Sequence, residues 1–135
     1  MEIFKNQKRA TKLIISKKKL PYKERLLKLK LPTLKYRRMR GDMIEVFKIS
    51  HNYYDSEVVP KLTLNNASVT RGNSLKLLNQ SFHYHLRKYS FPARVVSIWN
   101  SLPNVVVLAS SLDTFKNRLD RFCGNKDVKY DYTAE

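Results

Sequence analysis

A single cysteine and only eleven acidic side chains in 135 residues are the scarcities that shape this chain. The lone thiol, Cys123, excludes an internal disulfide framework and a zinc site built from several cysteines. It reads as a small apolar filler on the last helix. No apolar run approaches the roughly 20 residues that a bilayer-crossing helix needs, so no transmembrane segment is expected. The N-terminus is rich in lysine and poor in acids, as a mitochondrial leader would be. It lacks the Arg and Ser bias of such a leader, however, and no secretory apolar stretch follows. The expected location is intracellular, nuclear or cytoplasmic.

Against that shortage of acids stand 27 Lys and Arg residues, for a formal net charge of +16 and a pI near 10.1. Self-repulsion of this size opposes compaction unless a polyanion is near. Nucleic acid is one such partner and an anionic membrane surface is the other. A hydrophobic fraction of 42% matches a folded chain with one modest core. The charge is unevenly placed. Residues 1–40 hold fifteen Lys/Arg and two acids, Glu2 and Glu24, for +13, whereas residues 41–135 hold twelve and nine, for +3. A basic block can be a solvated tail. Here the cations alternate with Ile3, Phe4, Leu13, Ile14, Leu26, Leu27, Leu29 and Leu31, which argues for basic helices with a packed side.

The patterning predicts a mainly α fold of short helices. The first covers about 2–16, with Ile3, Ala10, Leu13 and Ile14 on one side and Lys5, Lys8, Arg9 and Lys12 spread over the remainder. After the Lys17–Lys19 connector, Pro21 suits the first turn of a helix over 21–29, and Pro32 breaks the chain again. Thr33 can cap a helix over 33–50 whose apolar positions are Tyr36, Met39, Met43, Ile44, Val46 and Phe47. In it Arg38 can pair with Asp42 one turn on, and Gly41 implies either a close helix contact or tolerance. Alternation in Leu62–Leu64 and Leu75–Leu77 around a turn-rich 70–74 predicts a small β-hairpin near 61–79.

Next comes a helix over 91–102, with Phe91, Val95, Ile98, Trp99 and Leu102 on its inner side, Ser90 as cap and Pro103 as terminator. The last covers 112–123, with Leu112, Phe115, Leu119 and Phe122 inward, Ser110 and Asp113 as a capping-box-like start, and Gly124 as the stop. Trp99, Phe91, Phe115 and Phe122 are core residues by this spacing. By sequence the chain divides into a basic helical arm over 1–31, a helical region with the hairpin over 32–123, and a loose tail over 124–135.

Several runs carry a resemblance. Gln7–Ile14, Pro21-Tyr-Lys-Glu-Arg-Leu26 and Leu31-Pro-Thr-Leu-Lys-Tyr-Arg-Arg-Met-Arg-Gly-Asp-Met-Ile-Glu-Val-Phe-Lys-Ile49 come first. Thr70-Arg-Gly72, Arg87-Lys88, Phe91-Pro-Ala-Arg-Val-Val-Ser-Ile-Trp-Asn-Ser-Leu-Pro103 and Ser111–Asp120 follow in the same order. Together they resemble the thumb end and post-thumb region of non-LTR, LINE- or jockey-like retrotransposon reverse transcriptases, over about residues 2–132. The resemblance implies a C-terminal fragment of an RNA-directed DNA polymerase, with Met1 falling inside the thumb. The family's paired catalytic aspartates have no counterpart here, since Tyr53-Tyr54-Asp55 offers one acid in another setting, and the endonuclease domain is missing. The expectation is therefore a non-enzymatic piece, without cofactor or small-molecule substrate, that holds RNA or DNA through phosphate contacts and can dock with the rest of a reverse transcriptase. A decayed, non-functional remnant is one alternative; a module that docks on a protein or an anionic membrane is another.

Individual residues follow from this reading. Lys5, Lys8, Arg9 and Lys12 recur at helical spacing and form a candidate phosphate-tracking face, the alternative being a solvated helix side. Arg37, Arg38 and Arg40 can extend it. Arg71, Lys76, Arg87 and Lys88 flank the hairpin and can grip RNA, with Tyr84 or Tyr89 stacking on a base, or else are ordinary surface charge. Arg94, one turn into an apolar helix, reads as part of a structural hydrogen-bond network. His83 and His85 share one face of a strand, but two ligands without a third do not make a metal site, and none is expected.

Overall fold

A computed structural model of the chain describes residues 2–14, 16, 18–65, 74–79, 90–124, 126, 129 and 130. Among these the architecture is mainly α. The helices are α1 (Glu2–Lys12), α2 (Tyr22–Leu29), α3 (Leu34–Ser50), α4 (Phe91–Ser101), α5 (Asn104–Val107) and α6 (Leu112–Gly124). The chain forms two compact units, Met1–Arg40 with Cys123–Glu135, and Gly41–Phe122. The division falls inside α3 and again inside α6.

In the first unit α1 ends earlier than the apolar pattern suggests. The Leu13 N–H bonds to the Ala10 carbonyl, three residues back, at 3.1 Å, which tightens and closes the last turn. The side that packs is also a different one. Ala10 and Ile14 are exposed and Leu13 is 81% exposed, while polar Thr11 is buried. The described attachments of α1 are polar. The Gln7 amide donates to the Pro32 carbonyl at 3.1 Å and accepts from the Tyr22 hydroxyl at 2.6 Å. A count of apolar positions is blind to such a face, because the carbonyl it serves is freed only by the chain break at Pro32. The Ile3 side chain lies outside those described.

Pro21 sits just before α2 rather than inside its first turn, and its carbonyl accepts the Arg25 N–H at 3.0 Å. The helix closes on Lys30, which takes the left-handed conformation (φ 53°). There Lys30 and Leu31 N–H groups bond back to the Leu27 and Leu26 carbonyls at 3.2 and 3.0 Å, a Schellman closure without glycine. Thr33 then caps α3 as expected, its hydroxyl accepting the Tyr36 N–H at 3.2 Å. Its own N–H donates to the Lys129 carbonyl at 2.8 Å, so residue 129 is tied to the start of α3. Cys123 is buried, at 3% exposure, as expected of an apolar filler.

The second unit holds an aromatic core. Phe47 stacks on Phe115 with ring centres 4.4 Å apart, and Phe115 lies 5.9 Å from Trp99. Met43, Ile44, Val46, Val95, Leu102 and Leu119 are buried as their spacing predicts, whereas Phe91 and Phe122, expected in the core, are only half-buried. Pro103 terminates α4, and its carbonyl then starts the unforeseen turn of α5 by accepting the Val106 and Val107 N–H groups.

Several expected terminal devices differ. Ser90 occupies the cap position without a side-chain cap bond. At α6 the cap is Ser111, not Ser110, its Oγ accepting the Thr114 N–H at 3.2 Å. Gly124 belongs to α6 and has no positive φ, so it does not act as a left-handed stop. Around Gly41 nothing comes within 4 Å of where a Cβ would lie, which removes close helix contact as its reason.

The hairpin is reduced, among the described residues, to one antiparallel bridge, Leu64 with Leu77. It carries Asn65 N–H to Lys76 O at 2.8 Å and Leu78 N–H to Thr63 O at 2.7 Å. A helix supplies the remaining strand-like partners. The Asn100 amide accepts the Leu77 N–H at 2.9 Å and donates to the Leu77 carbonyl at 2.8 Å, and Trp99 Nε1 donates to the Leu75 carbonyl at 2.9 Å. Side chains of α4 thus satisfy the leg that a longer ladder would otherwise satisfy.

Candidate nucleic-acid interface

Lys5, Lys8, Arg9 and Lys12 stand at i, i+3, i+4 and i+7 on α1, and all four are exposed. At 3.6 residues per turn they fall within roughly 100° of arc and extend about 10 Å along the axis, near the rise of three base pairs on one strand. The half-buried Gln7 and buried Thr11 occupy the other side. The helical spacing expected of these cations thus makes one stripe, and the fastening of the opposite side of α1 leaves it exposed.

Arg37 and Arg38 are exposed on the first turns of α3, while Arg40 is half-buried. Tyr36, just before them in the chain, is buried, with the Lys129 ammonium 5.9 Å from its ring centre. Lys18, Lys19, Lys23, Lys28, Lys30 and Lys35 are exposed cations of the same unit that sequence reasoning did not single out. The available signal was their sheer density: the unit holds seventeen Lys/Arg against five acids, a net of +12. Arg25, by contrast, is fully buried, at 2% exposure.

Lys76 belongs to the second unit, half-buried, its carbonyl engaged in the Leu64–Leu77 bridge. Arg71, Arg87 and Lys88, with Tyr84, Tyr89, His83 and His85, lie outside the described residues. Among the described residues no group of three His, Cys, Asp or Glu side chains can hold a metal ion. No helix among them is long and apolar enough to cross a membrane.

Two further charge clusters in the second unit are structural. Arg94 closes the hydrogen-bond network expected of it: Nε and Nη2 donate to the two Asp42 oxygens at 2.8 and 2.9 Å. Asp42 therefore engages a residue 52 positions away instead of depending on Arg38 one turn back. The Asp42 hydrogen bonds raise the Arg94 pKa above its ordinary value against an opposing effect of burial. At the end of α3, Lys48 donates to Glu45 at 3.0 Å and to the Tyr54 hydroxyl at 3.1 Å, and Tyr54 donates to Glu45 at 2.8 Å. Burial pushes the Glu45 carboxyl up, but the hydrogen bonds from Lys48 and Tyr54 and the Lys48 charge outweigh it and leave the pKa lowered. The Lys48 pKa is raised, first by its bond to Tyr54 and then by its bond to Glu45.

Comparison of the chain with protein-family models, with curated proteins and with solved structures finds no match.

Proposed function

We propose that this chain is a nucleic-acid-holding piece of a non-LTR-type reverse transcriptase, one that grips the sugar-phosphate backbone and performs no bond chemistry itself. The sequence runs quoted above support the retroelement assignment. The observation that carries the binding role is the α1 stripe: four exposed cations on one side of a helix, in a unit of net charge +12. A stripe of this kind neutralises successive phosphates and releases their counterions, and it reads no base.

The test is a salt titration of binding to RNA and to duplex DNA. Four phosphate contacts give a slope of log affinity against log salt of about −3 on single strands and about −4 on duplex. Lys8→Glu with Arg9→Glu should lower affinity for every sequence alike and roughly halve that slope. Absence of binding at low salt refutes the reading. One observation favours a second reading: Leu13, 81% exposed, and Ile14 are exposed apolar residues in a stretch of sequence that also exposes Lys12, Lys18 and Lys19, a chemistry that suits an anionic bilayer. Flotation with phosphatidylserine vesicles that persists in excess RNA would establish that one instead.

A further inference from the structure

Arg25 is a buried cation whose partners among the described residues include no acid. Its Nη1 donates to the Leu20 carbonyl, its Nε to the Thr11 hydroxyl at 3.3 Å and its Nη2 to the Lys8 carbonyl at 3.5 Å. The guanidinium carbon lies 5.7 Å from the centre of the Tyr22 ring. Burying a charge without partners is costly, and here the partners are carbonyl and hydroxyl oxygens. Lys8 and Thr11 belong to the last turns of α1, the helix end that carries about half a negative charge. The clamp therefore places a cation against the electronegative end of α1, which would otherwise repel a phosphate approaching Lys12. Lys8 has two roles in this arrangement: its ammonium belongs to the stripe and its carbonyl to the clamp. A planar guanidinium reaches three acceptors at once, which a lysine ammonium on its flexible stem does not reproduce.

We propose that Arg25 is the positioning residue of the basic surface: it touches no phosphate, but holds the end of α1 on α2 so that the exposed cations of both helices engage one phosphate backbone together. This rests on the nucleic-acid reading above. The experiment measures binding of a short fluorescein-labelled RNA to the full chain across a salt series, for the wild type, Lys8→Met, Arg25→Met, Arg25→Lys and Thr11→Val. Lys8→Met removes one stripe cation and should reduce the slope by about 0.7. Arg25→Met should reduce it by more than that, although no exposed cation is lost. Arg25→Lys should fall between Arg25→Met and the wild type. Thr11→Val leaves the net charge untouched and should still reduce the slope.

Far-UV ellipticity matched to the wild type shows that a variant is folded; where Arg25→Met fails this, Arg25→Lys and Thr11→Val decide. Slopes equal to the wild type in the folded variants, or an Arg25→Met loss no larger than that of Lys8→Met, overturn the positioning role while leaving the interface intact. A wild type that does not bind overturns the interface itself and the positioning role with it.

Discussion

Removing the Asp42 carboxylate tests how the second unit is held. Two charge-assisted hydrogen bonds, at 2.8 and 2.9 Å, join it to Arg94, with the Asp42 side chain 14% exposed and that of Arg94 32% exposed. Bonds of this class contribute about 1.5–3 kcal/mol each when fully shielded. Water can reach about a third of Arg94, so the expected loss for Asp42→Ala is about 2 kcal/mol, well under twice the single-bond figure. Arg94→Met keeps an unbranched apolar stem while removing the guanidinium, and should cost a similar amount. In a double-mutant cycle the coupling should be about 1–2 kcal/mol, because each single substitution already removes the same pair. The assay is urea unfolding followed by tryptophan emission. Trp99 is the only tryptophan and is buried in this unit's core, so its signal reports the unit in question. Arg38→Met is the control: its side chain is exposed, and the loss should stay within about 0.5 kcal/mol. A coupling below about 0.3 kcal/mol, or an Arg38 effect as large as that of Arg94, would refute the reasoning.

Three further outcomes follow from particular contacts. Gly41→Ala, with open space at the Cβ position in the middle of α3, should raise stability by about 1 kcal/mol, read as a higher urea midpoint at constant m. Asn100→Ala strips partners from both backbone groups of Leu77, a residue only 2% exposed, and should cost about 2–4 kcal/mol by the same melt. The Glu45 carboxyl titrates below its ordinary 4.5 in the folded chain, so its contribution is present above that pH and is lost as the pH falls through the lowered value. The stability gap between the wild type and Glu45→Gln should accordingly be open at neutral pH and close under acid; a gap that is flat across the titration contradicts the Lys48–Tyr54–Glu45 arrangement.

The helical character of this chain was legible in its sequence because 3.6-residue spacing of Met43, Val46, Phe47, Val95, Trp99, Phe115 and Leu119 is a local property, and burial followed that spacing. So was the cap at Thr33, which depends on a hydroxyl three residues before the amide it serves. The concentration of charge in the first forty residues is composition alone. Tertiary structure decided what local pattern cannot encode. It selected which side of α1 is fastened, because Gln7 and Thr11 find partners at Pro32, Tyr22 and Arg25, and so it left exposed the stripe that helical spacing makes of Lys5, Lys8, Arg9 and Lys12. It gave Asp42 to Arg94 over a separation of 52 residues, and let the Asn100 side chain complete the hydrogen bonding of Leu77. The physical reason is the same in each case. A buried polar group takes whichever partner the packed chain brings within hydrogen-bond reach, and that distance is set by the fold rather than by position along the sequence.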